Sequence, residues 1–315
     1  MKQSPEKLIT AVILTHNEER HIARCLASIA PLCARMIVVD SHSTDDTRTM
    51  AENAGAEVLT RKWPNNHSEQ LNWGISQANA TTPFMLRIDA DEYLSDELQA
   101  ELAARLPSLD PAVSGIVVPR LVVFQNRPIR WGGFYPQWLL RVWRTGTATC
   151  ESRMMDEHMM VNSGKLMRFR HNLVDHNLND IHWWTNKHNN YARREAAELL
   201  CLRHNLLTTN SIAAKGETQA RIKRFIKVHI YSRLPLGVRA GTYFCYRFFF
   251  QLGFLDHPRV WTFHFLQAAW YRTLVDVNVR EFQDAVGSAG PKEQIQYMLD
   301  RWNVDLRKHL SGPLS

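Results

Sequence analysis

Residues 84–95 read FMLRIDADEYLS, and this stretch decides the fold. Phe84 to Ile88 is an apolar run of strand length. It stops on Asp89-Ala90-Asp91-Glu92, after which Ser95 opens a helical stretch that closes at Leu106, before Pro107. A short apolar strand that ends on carboxylates and turns into a helix is the repeating unit of a parallel sheet covered on both faces. At a strand end, residues two apart point the same way, so Asp89 and Asp91 place hard oxygen donors on one side. Such donors suit Mg²⁺ or Mn²⁺, which keeps several waters and completes its shell on substrate phosphates. Taken alone, Asp-x-Asp is equally an exposed acidic turn that caps the helix at Ser95.

Upstream the same unit recurs. Leu8 to Leu14 is a β-branched-rich strand, and Glu18 to Ile29 has helical spacing with Ile22, Leu26 and Ile29 on one face. Met36 to Val39 is a second strand that ends in Asp40. Ser43 is placed to cap a helix over Thr44 to Ala54, which stops at Gly55. Glu57 to Leu59 is a brief strand and Ser68 to Ala80 a helix. Doubly wound sheets bind ligands at the carboxyl ends of their strands. Three polar clusters fall at such ends: Thr15-His16-Asn17-Glu18, Asp40-Ser41-His42-Ser43 and Asp89-Ala90-Asp91-Glu92. One cluster is readily a helix cap; three at one sheet edge are harder to explain that way. Asp40 is suited to accept hydrogen bonds from a nucleobase or ribose, or to cap the next helix.

Downstream, Gly115 to Phe124 and Gln137 to Arg144 read as strands, and Ile181 to Leu200 as a helix. Thr208-Thr209-Asn210-Ser211 is loop-like. The expected organisation is a catalytic domain over 1–205, with halves 1–107 and 108–205, followed by a helical extension over 206–315. In that extension Arg221, Lys223, Arg224 and Lys227 interleave with Ile222, Phe225, Ile226 and Ile230, a basic amphipathic helix. Tyr243 to Phe250 and Trp261 to Tyr271 are dense in aromatics and are accompanied by Arg239, Arg247, Arg259 and Arg272. Aromatics mixed with cations suit the headgroup level of an anionic membrane, or the core of a helical subdomain, or an oligomer interface.

The net charge of +7 points to an anionic partner or to solubility alone. The excess is spread along the chain with no nucleic-acid-binding module, so nucleic acid is not expected as a partner. The five cysteines form no CxxC pair, which fits reduced thiols and no zinc knuckle. The N-terminus has no apolar core of signal-peptide length. The longest stretch of the aromatic region without Asp, Glu, Lys or Arg runs from Val260 to Tyr271, short of the roughly 20 apolar residues of a spanning helix. A cytoplasmic protein at the inner face of the plasma membrane is expected.

The segments ITAVILTHNEERHIARCLASI, MIVVDSHSTDDTRTMAENAGAEV and FMLRIDADEYLS, in that order, resemble the inverting family-2 glycosyltransferases of GT-A fold. They cover roughly the first hundred residues. Later segments, MDEHMMV, WWTNKHNNYARREA and GFLDHPRVWTFHFLQAAWYRTLVDV, resemble a bacterial subgroup acting in surface-polysaccharide or lipopolysaccharide assembly. The resemblance implies a Rossmann-like, mostly parallel sheet with helices on both faces. It implies a nucleotide-sugar donor, a UDP-sugar first among them, and a glycan or lipid-linked acceptor. By motif position, Thr15, Asn17, Glu18 and Asp40 hold the nucleoside. Asp89 contacts the ribose or the metal shell, and Asp91 ligates Mg²⁺ or Mn²⁺. Gln70 and Asn72 match a Gln-x-Asn pattern of the subgroup and line the donor pocket, or are polar residues of a surface helix.

An inverting displacement needs a carboxylate to take the acceptor proton from the side opposite the leaving diphosphate. Glu157 is expected in that role with Asp156 as the alternative, and a salt-bridged loop is the competing explanation. His176 is a further candidate for the metal site, or a packed histidine. Lys187 and His188 are placed to meet phosphates or to pack on their helix. A nucleotidyltransferase is disfavoured because its glycine-rich phosphate loop is missing after the first strand. A catalytically inactive scaffold is disfavoured by the intact acidic pairs.

Overall fold

The computed structural model describes residues 6–151, 158–203 and 237–305. The chain forms two compact units, Met1–Asn179 and Asp180–Ser315. The first is built on β1 (Ile9–Thr15), α1 (Ile22–Ile29), β2 (Cys33–Asp40), α2 (Thr47–Asn53), β3 (Glu57–Thr60), α3 (His67–Gln77), β4 (Phe84–Asp89), β5 (Glu92–Leu94) and α4 (Asp96–Arg105). It continues with β6 (Val113–Phe124), β7 (Arg127–Pro128), β8 (Gln137–Arg144), β9 (Ala148–Cys150), β10 (Met159–Val161), β11 (Lys165–Arg168) and β12 (Leu173–Asp175).

The principal sheet runs β3-β2-β1-β4-β8-β6-β12-β5, with β11 and β7 paired to β6. The β3-β2-β1-β4 portion is parallel, whereas β8 is antiparallel to both of its neighbours. Alternation along the strands feeds two cores. Ile9, Ala11 and Ile13 face Ile22, Leu26 and Ile29 of α1 and Leu98 and Leu102 of α4. Val12, Ile37 and Val39 face Leu71 and Trp73 of α3 on the other side. Burial on both faces explains why these strands read as continuous apolar runs. α3 lies close on the sheet because residue 74 is glycine. A Cβ there would stand 2.7 Å from Val39 Cγ2 and 3.1 Å from Val12 Cγ1.

The expected elements of the first hundred residues are present with shifted ends: α1 begins at Ile22 and not Glu18, α2 at Thr47 and not Thr44, α3 ends at Gln77 and not Ala80, and Glu92–Leu94 adds a strand that was not expected. Ser43 does not cap α2: its N–H and hydroxyl both donate to the Asp40 carboxylate, at 2.9 and 2.5 Å. Ser95 does cap α4, where its Oγ accepts the Leu98 N–H at 3.2 Å.

The second unit holds α5 (Ile181–Arg203), α6 (Val238–Cys245), a π-helical turn at Tyr246–Phe250 and a 3₁₀ turn at Gly253–Leu255. α7 (Pro258–Phe265) runs through a second π-helical turn (Leu266–Trp270) into α8 (Tyr271–Val286), and α9 (Pro291–Trp302) closes the unit. α5 belongs here and not with the sheet, so compactness divides the chain after Asn179 and not at 205. The reason is the buried face of α5. Glu195 accepts from the Tyr271 hydroxyl at 2.8 Å and pairs with Arg272, while Ala192, Ala196 and Leu200 are buried. The expected basic amphipathic helix, from Arg221 to Ile230, and the loop-like Thr208–Ser211 lie outside the described residues. No helix among the described residues is long and apolar enough to cross a membrane.

Candidate active site

Register alone brings the strand ends together. Thr15 pairs with Asp40, Asp40 with Thr60, and Leu14 with Asp89. The strand order reverses at β1, between β2 and β4, which is where open α/β sheets form a crevice at their carboxyl edge.

Four of the expected nucleoside contacts turn out to knit the β1–α1 and β2–α2 loops to each other. Asp40 is fully buried and accepts from Thr15 Oγ1 at 3.3 Å as well as from Ser43. Asn17, at φ +56°, donates its N–H to Ser43 Oγ at 2.9 Å and accepts the Thr44 N–H at 2.8 Å. The Glu18 N–H donates to Thr47 Oγ1 at 2.7 Å. The Glu18 carboxylate pairs at 2.6 Å with Nδ1 of His21, whose Nε2 accepts the Leu178 N–H at 2.8 Å. That backbone donor fixes the tautomer, with the proton on Nδ1. Thr15, Asn17, Glu18 and Asp40 therefore shape the loops through their own side chains.

Gln70 is fully buried in α3. Its Nε2 donates to Ser41 Oγ at 3.2 Å and to the Arg61 carbonyl at 3.4 Å, while Oε1 has no protein partner. Asn72 is not a pocket-lining polar group. Its amide holds the Cys150 backbone at both ends, Nδ2 donating to the carbonyl and Oδ1 accepting the N–H, each at 2.9 Å. Cys150 ends β9, which pairs with β10, and the Glu151 N–H donates to the His158 carbonyl at 3.0 Å. The stem so anchored flanks the segment that contains Asp156 and Glu157. Both of those candidates lie outside the described residues.

Asp89 closes β4 inside a lattice of ion pairs. Arg87 Nε lies 3.5 Å from Oδ1, and an Arg141 Nη2 lies 3.4 Å from Oδ2. The same Arg141 nitrogen is 2.6 Å from Glu92 Oε1, and Glu92 Oε2 accepts the Asp89 N–H at 3.0 Å. Arg120 pairs with Asp175 and approaches Glu92 at 3.7 Å. Burial works to raise the Asp89 carboxyl, but Arg87 and Arg141, with Arg120 behind them, hold it well below the usual carboxylate range. Burial pushes the Glu92 carboxyl up to about 8, with Asp89 and Asp175 adding to the rise and Arg141 and Arg120 opposing it. Adjacent carboxyls thus differ: Asp89, half-buried between two arginines, is anionic, and the fully buried Glu92 is proton-holding. Burial, then Arg87, lowers His67 at the start of α3 to about 4, so this imidazole is neutral.

Asp91 sits in the turn between β4 and β5. Its Oδ2 accepts from Asn177 Nδ2 at 3.1 Å, and its carbonyl accepts from the His176 N–H at 3.1 Å and from Arg24 at 3.3 Å. His176 differs from the expectation of a metal ligand. Its Nδ1 faces the Arg24 guanidinium at 3.2 Å and its Nε2 faces Asn126 Oδ1 at 3.0 Å. Arginine only donates, so Nδ1 spends its lone pair on Arg24, and no lone pair is left for a cation. Among the described residues no three His, Cys, Asp or Glu side chains converge as a metal cluster. Lys187 and His188 are packing residues of the second unit. Lys187 lies 4.6 Å from the Trp183 ring, and His188 stacks on Trp184 at 3.5 Å.

The arginines are what the motif reading missed. Their signal was present as single arginines inside otherwise apolar strands, Arg87 in FMLRID and Arg141 in WLLRVWR. An arginine buried in a strand calls for a buried carboxylate beside it.

With this edge of a Rossmann-like sheet in view, the chain belongs to glycosyl transferase family 2, whose model matches residues 10–176. The fold is GT-A. An uncharacterised glycosyltransferase of Rickettsia conorii is 38% identical over 102 residues, covering 32% of this chain and 35% of that protein. One of Mycobacterium bovis is 32% identical over 152 residues, covering 48% of this chain and 62% of that protein. The match thus spans about a third of the length of the rickettsial relative. Among solved structures, glucosyl-3-phosphoglycerate synthase from Mycobacterium tuberculosis in complex with Mg²⁺ and uridine diphosphate is 25% identical, with a TM-score of 0.31, over 36% of this chain and 44% of that one. The same enzyme with phosphoglyceric acid gives 24% identity and a TM-score of 0.29, over the same shares.

Proposed function

We propose that the protein transfers a sugar, with inversion, from a nucleotide-diphosphate sugar to an acceptor hydroxyl. The observation that carries this reading is the alignment of Thr15, Asp40 and Asp89 at the point where the strand order reverses, with Asp89 kept anionic. A UDP-sugar is the donor proposed, and a lipid-linked or polysaccharide glycan the acceptor, at the cytoplasmic side of the membrane.

The donor set fits a hard divalent cation. The contacts of Asp89 to Arg87 and Arg141, at 3.5 and 3.4 Å, are longer than the 2.7–2.9 Å of a saturated charge-assisted bond. Its oxygens retain capacity, and Asp91 is half-buried beside it. Asp91 and Asp89 would hold Mg²⁺ or Mn²⁺, and the bound ion would neutralise the departing diphosphate. The loops tied by Asp40, Asn17 and Glu18 supply backbone groups to the nucleoside. The unpartnered Oε1 of Gln70 offers an acceptor nearby. Glu157, or failing it Asp156, takes the acceptor proton, in the segment that follows the Cys150 backbone held by Asn72.

The test is a donor-hydrolysis screen over UDP-, GDP- and dTDP-sugars with Mn²⁺ or Mg²⁺, followed by calorimetry of the preferred nucleotide. Asp91→Ala should abolish metal-dependent nucleotide binding, and Glu157→Gln should abolish turnover while leaving binding intact. Full activity in the Asp89→Ala, Asp91→Ala double variant, or indifference of the wild type to EDTA, would remove the proposal.

A further inference from the structure

The second unit carries a continuous apolar surface that its own fold leaves uncovered. Phe250 is 79% exposed, Phe249 55%, Leu255 52%, Phe265 51% and Trp261 43%. Two half-buried rings tie Phe249, Trp261 and Phe265 together, while Phe250 stacks on Tyr246 at 6.4 Å in the same π-helical turn and Leu255 follows Phe254 in the 3₁₀ turn. Phe248 meets Phe249 at 5.2 Å, Trp261 at 5.7 Å and Phe254 at 6.4 Å. Phe244 stacks on Phe248 at 5.2 Å and meets Phe265 at 6.0 Å. Soluble domains seldom expose so many large rings side by side unless the patch meets something.

The patch is held firmly in place. Two residues past the π-helical turn at Tyr246–Phe250 comes Leu252, whose φ of +60° is left-handed backbone that bulky side chains rarely adopt. Gly253 follows with no room for a Cβ, which would stand 3.1 Å from the Arg247 carbonyl and 3.2 Å from Phe248 Cα. The Trp261 indole N–H donates to the Phe254 and Asp256 carbonyls at 3.2 and 3.1 Å, which fixes the tip against α7.

Charge decides the occupant. Asp256 is the only carboxylate in residues 238–275, and it is buried against His264 Nε2 at 2.9 Å. The segment that forms this face therefore carries no exposed carboxylate of its own. Arg259 is exposed at the start of α7, and Arg247 is half-buried over the Tyr243 ring with its Nη1 donating to that hydroxyl at 2.9 Å. Protruding Phe and Leu, a Trp and Tyr collar and cations without carboxylates match the level where acyl chains meet anionic headgroups. A second copy of the chain would offer the same cationic face and so no complementary charge.

We propose that this face, from Tyr246 to Phe265, docks the protein on an anionic phospholipid surface, with Phe249, Phe250 and Leu255 inserting and Arg259 meeting headgroups. The inference stands apart from the sugar chemistry, since it is read without donor or acceptor. The experiment is flotation of the purified full chain with phosphatidylcholine vesicles, with and without phosphatidylglycerol, at low and high salt. The wild type should float with the phosphatidylglycerol vesicles, more strongly at low salt. Phe250→Ser with Leu255→Ser should lower the partition coefficient by about tenfold or more, since each fully buried side chain of this size contributes at least that factor. Arg259→Glu should weaken binding and flatten its salt dependence. All three substitutions are at exposed positions, so circular dichroism and donor hydrolysis in solution should match the wild type. Vesicle binding unchanged in the Phe250/Leu255 variant, or no wild-type binding at low salt, would overturn the proposal. So would a dimer in sedimentation velocity, without lipid, that the same variant dissociates.

Discussion

Arg141→Met tests whether the ion-pair lattice around Asp89 holds the site together. Arg141 is 5% exposed and Glu92 1%, so their 2.6 Å contact is a buried pair and not a surface bridge worth a fraction of a kcal/mol. Methionine fills similar volume and removes the charge, leaving Glu92 with Arg120 at 3.7 Å as its nearest cation. Glu92 holds its proton near neutral pH, so there the variant loses a buried hydrogen bond to a charged group, about 1.5–3 kcal/mol, and not a full ion pair. Against a typical total of roughly 5–15 kcal/mol, that is a large fraction. The penalty has a pH signature. Glu92 already tends to hold a proton, and loss of Arg141 raises its carboxyl further, so acid relieves the variant and base aggravates it. Urea denaturation followed by far-UV circular dichroism should show a loss of about 1.5–3 kcal/mol near neutral pH. The loss should grow by at least ~1.4 kcal/mol, one pKa unit's worth, between about pH 6 and about pH 9. A destabilisation below about 1 kcal/mol, or one that does not change with pH, would refute the reasoning.

Three further outcomes are expected. Asn72→Ala leaves the Cys150 N–H and carbonyl without their 2.9 Å partners and should cost about 1–3 kcal/mol. Donor hydrolysis should then show kcat falling with KM for the donor little changed, because the clamp holds the Cys150 backbone that leads to Glu157 in the chain. Gly74→Ala should destabilise by about 1–2 kcal/mol in thermal melts despite better helix propensity, since Val39 and Val12 sit on strands that cannot yield. His67, at about 4 in the fold against 6.5 in the unfolded chain, keeps its neutral form while the unfolded state takes up a proton. Stability is therefore lost as pH falls from about 6.5 to about 4, by up to ~3 kcal/mol, and His67→Gln should flatten that portion of the stability–pH curve.

The alternation of strand and helix, and the identity of the sheet edge, are legible in the residues alone. Both follow from short-range facts: strand-length apolar runs, glycine and proline stops, and polar clusters that chain direction places at carboxyl ends. Those facts do not show what each polar side chain at that edge touches, because those partners lie 25 to 157 residues away in the chain, as Thr15 with Asp40 and His21 with Leu178. That Asn72 clamps Cys150, that His176 spends both nitrogens on Arg24 and Asn126, and that α5 joins the helical unit became visible only in the folded chain. The same holds for Asp89 and Glu92. Their motif was plain in the sequence, but their opposite proton affinities come from burial and from arginines on β4, β6 and β8, which only the folded sheet brings together.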